Sequence, residues 1–212
     1  MKDREKTLIF LILLMVFILT IMAYLFDVQI IKFVESMRTE SLDYLFLSVT
    51  FASNVFITFF FLTTLFLWKE HKRRWIFPLW FASFFSVLIS YILKVWIHRP
   101  RPFQAGHVSV LSIAFNFMRN NFNTWNFSFP SFQAMLVFAA LPVLNKEFRK
   151  FKYIWLIFAS LVALSRVYFG VHYPSDIMAG AIIGYLIGLS MVMIEGKKKL
   201  GLKLMRKLKV SA

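Results

Sequence analysis

The 212-residue chain has no cysteine. That excludes disulfides, thiolate zinc sites and cysteine nucleophiles, and leaves the redox compartment open. Carboxylates are scarce as well, with 10 Asp and Glu against 25 Lys and Arg. Between His71 and Ile194 the only acids are Glu147 and Asp176. A two-metal centre needs several converging oxygen ligands, and this stretch does not supply them. Internal repeats, low-complexity tracts and a linker that would split the chain are also lacking. One compact unit is therefore expected. No small-x-small cleavage signal precedes Asp27, so the apolar run from Thr7 to Phe26 reads as a retained anchor.

What is plentiful is apolar surface: 59% of residues are hydrophobic, 27 of them phenylalanine, and the mean hydropathy is +0.69. Five further runs long enough to cross a bilayer follow the first, at about 45–68, 75–96, 130–145, 152–171 and 175–194. The expected fold is all-α, a six-transmembrane-helix bundle. Between the first two spans, Ile30, Ile31, Phe33, Val34 and Met37 alternate with Lys32, Glu35 and Arg38 at helical spacing, which predicts a short interfacial helix. Asn54, near the middle of the second span, can bend it or bond a neighbouring helix, and packing is the favoured role. The expected organisation is an anchor and interfacial helix over 1–44, a transmembrane domain over 45–195 and a basic tail over 196–212.

The formal net charge of +15 first suggests a nucleic-acid partner, but its distribution follows membrane topology. The segments Lys69–Arg74 and Asn145–Lys152 and the tail, with Lys197, Lys198, Lys199, Lys203, Arg206, Lys207 and Lys209, are basic and alternate with the other loops. This places both termini in the cytoplasm, with membrane lipids and no nucleic acid as partners. Trp96, Trp125 and Tyr173 read as interface aromatics.

Charges at membrane depth are expensive, so those embedded in or abutting the spans carry information. They fall in Lys94-Val-Trp-Ile-His-Arg-Pro-Arg-Pro102, in Phe129-Pro-Ser-Phe-Gln-Ala134 and in Ser165-Arg-Val-Tyr-Phe-Gly-Val-His-Tyr-Pro-Ser-Asp176. With six alternating spans all three emerge on one side, the non-cytoplasmic one. Lys94, Arg101 and Arg166 can surround a phosphoryl group, the guanidiniums by paired hydrogen bonds and the lysine as a compact charge. His172 and Asp176 are four apart, so on a helical turn the carboxylate can accept one imidazole N–H and leave the other nitrogen free to attack phosphorus. Singly, each residue has a plainer role. Lys94 can snorkel, Arg101 can anchor at the interface, Arg166 can pair with Asp176, Ser131 can cap a helix, and Gln133 can pack as a polar residue or donate neutrally to phosphate.

Taken together, Lys94 with Arg101-Pro102, Pro130-Ser131, and Ser165-Arg166 with His172 and Asp176 resemble the three signature motifs of the type 2 phosphatidic acid phosphatases. That superfamily also includes bacterial undecaprenyl pyrophosphate phosphatases and vanadium haloperoxidases. The resemblance runs from about residue 45 to 194. It implies that Lys94, Arg101 and Arg166 hold phosphate, that Ser131 donates a hydrogen bond to it, and that His172 is a nucleophile oriented by Asp176, with no metal or other cofactor. A phosphohistidine intermediate and a lipid phosphate substrate follow from it. The family's middle motif is Pro-Ser-Gly-His, whereas this chain has Phe132 and Gln133 at the last two positions. The missing histidine is the family's general acid, and a glutamine amide cannot exchange a proton near neutral pH. This favours a diphosphate lipid, whose phosphate leaving group needs no proton, over phosphatidate, whose alkoxide does. His98 and His107 are the nearby candidates to replace the acid. The alternative is a phosphatase-like protein that binds or transports lipid phosphate without turnover.

Overall fold

A computed structural model describes residues 3–68, 70–109 and 127–207. Trp125, Lys69, Lys209 and the middle of the third connection lie outside the described residues. The described chain is helical, with no strand among those residues.

Helix α1 runs unbroken from Asp3 to Ser36, about 51 Å at 1.5 Å per residue. The separate interfacial helix expected after the first span is thus corrected: residues 27–36 continue α1. No glycine or proline interrupts this stretch, and Asp27, which looked like a boundary, is buried. Ala23, Asp27 and Ile31, four residues apart, face inward, while Leu8, Phe10, Phe17 and Phe33 are exposed apolar groups.

The second expected span is two helices, α2 (Glu40–Ala52) and α3 (Val55–Leu67), meeting at 60°. Asn54 causes the break as a helix N-cap, its side-chain oxygen accepting the Phe56 N–H at 2.9 Å. Packing is the role the sequence favours for Asn54; the structure shows the alternative, a bend with Asn54 as its N-cap. A 3₁₀ turn (Glu70–Trp75) leads into α4 (Ile76–Ile97), which stops at His98 in the left-handed conformation, φ 52°. The remaining helices are α5 (Phe132–Glu147), α6 (Phe151–Tyr168), α7 (Pro174–Lys198) and α8 (Leu200–Lys207).

By length and apolarity, four described helical segments can cross a membrane, or five if the bent α2–α3 pair is one span. Six were expected. The difference is α5, which occupies the predicted 130–145 span but has only 16 residues, about 24 Å against a hydrocarbon core of roughly 30 Å. It is wrapped by its neighbours, with Ala134, Met135, Leu136, Val137, Ala139 and Ala140 all buried.

Gly180, Gly184 and Gly188 form a stripe on the α7 face that meets α5. A Cβ on any of them would come within 3.0 Å of a backbone oxygen of Ser131, Met135 or Ala139 respectively. Small residues let two backbones approach this closely in a membrane, where dispersion rather than hydrophobic burial drives helix association. The same contact fixes the top of the pair, because the Ser131 N–H donates to the Asp176 carbonyl at 3.1 Å. At the opposite end Leu62, Phe66, Leu79, Val143, Leu144, Trp155 and Val162 form an apolar core.

Candidate active site

The residues singled out from sequence come from four elements that end on the same side of the bundle. Lys94 closes α4, Arg101 follows it, Ser131 opens α5, Arg166 closes α6, and His172 and Asp176 flank the start of α7. Lys94, Ser131, Arg166, His172 and Asp176 are all buried. Lys94 Nζ donates to the carbonyls of Phe127 (2.6 Å) and Ser128 (3.3 Å), which ties α4 to the segment leading into α5. Snorkelling alone therefore does not describe it. Ser131 stands at the N-cap of α5, yet its hydroxyl makes no capping bond and is buried without a hydrogen-bond partner.

Arg166 does not pair with Asp176. Its Nη2 donates to Ser53 Oγ at 3.1 Å, so the break between α2 and α3 serves as a rest for this guanidinium. Its Nε is buried and unpaired. Arg101 Nη1 donates to the Val171 carbonyl at 2.8 Å and lies 3.3 Å from His172 Nε2. A guanidinium has donors only, so the ring nitrogen facing it offers its lone pair and the imidazole proton sits on Nδ1. That Nδ1 is 3.8 Å from Asp176 Oδ2, longer than a hydrogen bond, so the carboxylate faces the ring without bonding to it.

Burial pushes the His172 pKa well below its ordinary value, and the charges of Arg101, Lys94 and Arg166 push it further in the same direction. The three cations thus act on one ring, which stays neutral. Burial also lowers Arg101 to about 10, opposed by Asp176.

Two residues at the site had escaped notice in the sequence. Arg99 Nη1 donates to Asp176 Oδ1 (2.7 Å) and Nη2 donates to Asp27 Oδ2 (2.6 Å). Burial acts to lower the Arg99 pKa, and the carboxylates of Asp176 and Asp27 more than reverse this and raise it. Asp27 belongs to α1, outside the stretch where acids had been counted. A carboxylate at the end of an apolar run was the available signal. Tyr173, read as an interface aromatic, is buried with Arg99 4.0 Å above its ring. Trp96 is exposed.

Phe132 and Gln133 occupy the first turn of α5 and are half-buried. His98 packs its ring on Phe127 at 4.5 Å, and His107 lies edge-on to Tyr173 at 6.2 Å. Among the described residues no group of three or more His, Cys, Asp and Glu side chains gathers in a metal-binding arrangement.

Comparison with known proteins places this geometry in context. The chain is 40% identical over 62 residues to the bacitracin transport permease protein BcrC of Bacillus licheniformis, covering 29% of this chain and 30% of that protein. It is 35% identical over 100 residues to phosphatidylglycerophosphatase B of Bacillus subtilis, covering 47% and 48%. It is 31% identical over 119 residues to the undecaprenyl-diphosphatase of Sulfolobus acidocaldarius, covering 52% and 54%. The chain thus aligns with about half or less of each curated relative. Two crystal structures share its fold. A transmembrane PAP2-type phosphatidylglycerolphosphate phosphatase from Bacillus subtilis has a TM-score of 0.66 at 22% identity, covering 87% of this chain and 96% of that one. Aquifex aeolicus LpxE has a TM-score of 0.61 at 24% identity, covering 79% and 94%. These likenesses and the long apolar helices mark a multi-pass membrane protein. The PAP2 superfamily profile matches residues 75–199, more than half the chain and the stretch that carries Lys94, Arg101, Ser131, Arg166, His172 and Asp176, so the protein belongs to the PAP2 superfamily.

Proposed function

We propose that the protein removes the terminal phosphate of a lipid diphosphate, preferentially a polyprenyl diphosphate, without a metal ion. The observation that carries this is the placement of His172 Nε2, 3.3 Å from Arg101 Nη1, on a ring whose opposite nitrogen faces Asp176. Lys94, Arg101 and Arg166 take up the oxygens of the terminal phosphoryl group, and the unpartnered Ser131 hydroxyl and Arg166 Nε are donors available to it. His172 Nε2 attacks phosphorus, the P–O bond to the inner phosphate breaks, and polyprenyl phosphate leaves with the electron pair. Asp176 offsets the positive charge that develops on the ring. Water then attacks the phosphohistidine, the P–N bond breaks, and inorganic phosphate leaves with the ring returned to its neutral form.

Gln133 decides the substrate class within this scheme. Lacking a proton to give, the site favours a leaving group that departs as a stable anion, and an inner phosphate is far less basic than an alkoxide.

The proposed topology counts the bent α2–α3 pair and the short, wrapped α5 as one crossing each, giving six spans in the plasma membrane, both termini in the cytoplasm and the site on the non-cytoplasmic face. The bundle's polarity supports it. Lys72 donates to the Glu147 carbonyl and Arg74 pairs with the Glu147 carboxylate, gathering basic segments at the end opposite the site. An anchor over 1–44, a phosphatase-like domain over 45–195 and a basic tail over 196–212 complete the organisation.

Purified protein assayed without metal on polyprenyl diphosphate and phosphatidate tests the proposal. Faster phosphate release from the diphosphate, abolished by His172→Ala, is expected. Release that survives this substitution removes His172 as nucleophile. A second possibility, favoured by Phe132 and Gln133, is a protein that holds lipid phosphate without hydrolysing it. It predicts Arg166-dependent lipid binding with no phosphate release, and turnover by the unmodified chain excludes it.

A further inference from the structure

Arg99 lies inside the first motif but is not one of the positions through which that motif was recognised, and Asp27 lies outside the stretch matched by the family. Yet the two share one hydrogen-bonded network at the site. Asp27 is 2% exposed and Asp176 is fully buried. Burying an ionised carboxylate without compensation is costly enough that each such group demands a partner. One guanidinium serves both: Nη1 holds Asp176 Oδ1 and Ser175 Oγ (2.7 and 2.8 Å), and Nη2 holds Asp27 Oδ2 (2.6 Å). Asp27 also accepts the Ser175 N–H at 3.0 Å and the Ser175 hydroxyl. The Arg99 carbonyl accepts the Ser128 N–H at 2.8 Å, next to the carbonyls that hold Lys94. Below the guanidinium lie the rings of Tyr173 and Tyr24, at 4.0 and 5.0 Å.

The consequence for Asp176 is orientational. Arg99 claims Oδ1, while the Tyr173 N–H claims Oδ2 at 2.9 Å. Both oxygens are held, and Oδ2 is the one that lies 3.8 Å from His172 Nδ1. We propose that Arg99, braced by Asp27 of α1, is a positioning residue that sets the Asp176 carboxylate against His172 and so makes the first helix part of the phosphoryl-transfer machinery. This rests on the phosphohistidine scheme above. Arg99 does not bind the phosphate; Lys94, Arg101 and Arg166 do. Lysine at position 99 can neutralise one carboxylate but cannot fork between two.

The test uses the full chain in detergent micelles, with kcat and KM measured on polyprenyl diphosphate and the dissociation constant measured for inorganic phosphate. For Arg99→Met, kcat is expected to fall about 10- to 100-fold, the scale of a displaced catalytic group. KM and phosphate affinity should change less than about threefold because the cage is intact. Arg99→Lys should recover part of the loss. Asp27→Asn should show a smaller loss in kcat alone, and the double variant should be no worse than Arg99→Met, since residues in one network do not add. Unchanged kcat in Arg99→Met overturns the proposal, as does a parallel loss of phosphate affinity, which would mark Arg99 as a purely structural strut. His172→Ala separates the two claims: activity surviving there removes the phosphohistidine scheme whatever Arg99 does. Unmodified protein that turns over neither lipid overturns both.

Discussion

The two ends of the bundle are built on opposite terms. At the basic-loop end, Leu62, Phe66, Leu79, Val143, Leu144 and Val162 pack into an apolar core, and Trp155 donates its ring N–H to the Val137 carbonyl at 2.8 Å. At the other end the interior holds Lys94, Arg166, His172 and Asp176, and Ser131 Oγ, Arg166 Nε and His172 Nδ1 are buried without hydrogen bonds. Buried polar atoms without partners destabilise a fold. One end thus supplies stability and the other gives some of it up, which fits the phosphate-binding role proposed for that end.

The strongest test of that contrast is His172→Ala. It should lower phosphate release by about 10⁴-fold or more, the scale for losing a nucleophile, with little change in thermal stability by melting of the micellar protein. Restoring the family's middle motif with Phe132→Gly and Gln133→His should act in the other direction. Turnover of phosphatidate should rise about 10²- to 10⁴-fold, the span attributed to general acid catalysis, and that of polyprenyl diphosphate much less. Equal gains on both lipids would show that leaving-group protonation is not what distinguishes them.

Arg166→Ala should cost about 10²- to 10³-fold in kcat/KM, comparable to losing one transition-state donor. Conversely, Leu144→Ala should cost about 2–5 kcal/mol of stability while leaving kcat within about twofold at a temperature where the variant is folded. Activity loss there without loss of stability would blur the division between the ends.

The smallest effect concerns pH. His172 is held neutral by burial and by three cations, so its folded pKa lies below its unfolded value of about 6.5. As pH falls below that value the unfolded chain takes up a proton that the folded one refuses, and stability declines until the depressed folded pKa is reached. Above the unfolded value of about 6.5 the group contributes no pH dependence. His172→Gln should therefore flatten the decline in melting temperature between pH 7 and pH 5 relative to the unmodified chain. The acidic limb of kcat/KM should fall below pH 6.5.

Much of this site was legible in one dimension because membrane depth makes charge conspicuous. Lys94, Arg101, Arg166, His172 and Asp176 stood out against apolar runs, and helical spacing paired the last two. One polar residue in an apolar span marked Asn54 as special, but spacing alone did not decide between a bend and a bond to a neighbouring helix. Arg99 was hidden for the opposite reason: it sat among other basic and proline residues, and its two carboxylates lie 72 and 77 positions away along the chain.

The sequence by itself determined a helical membrane chain and picked out the charged residues that gather at one end of it, because hydropathy and the cost of buried charge act locally along the chain. Only the tertiary structure decided that α1 continues through residue 36, that α5 is a short helix wrapped by its neighbours, and that Asp176 is held by Arg99 rather than by Arg166. Those outcomes depend on which distant backbones can approach closely and on which of several possible partners a buried charge finds, and neither is encoded in spacing.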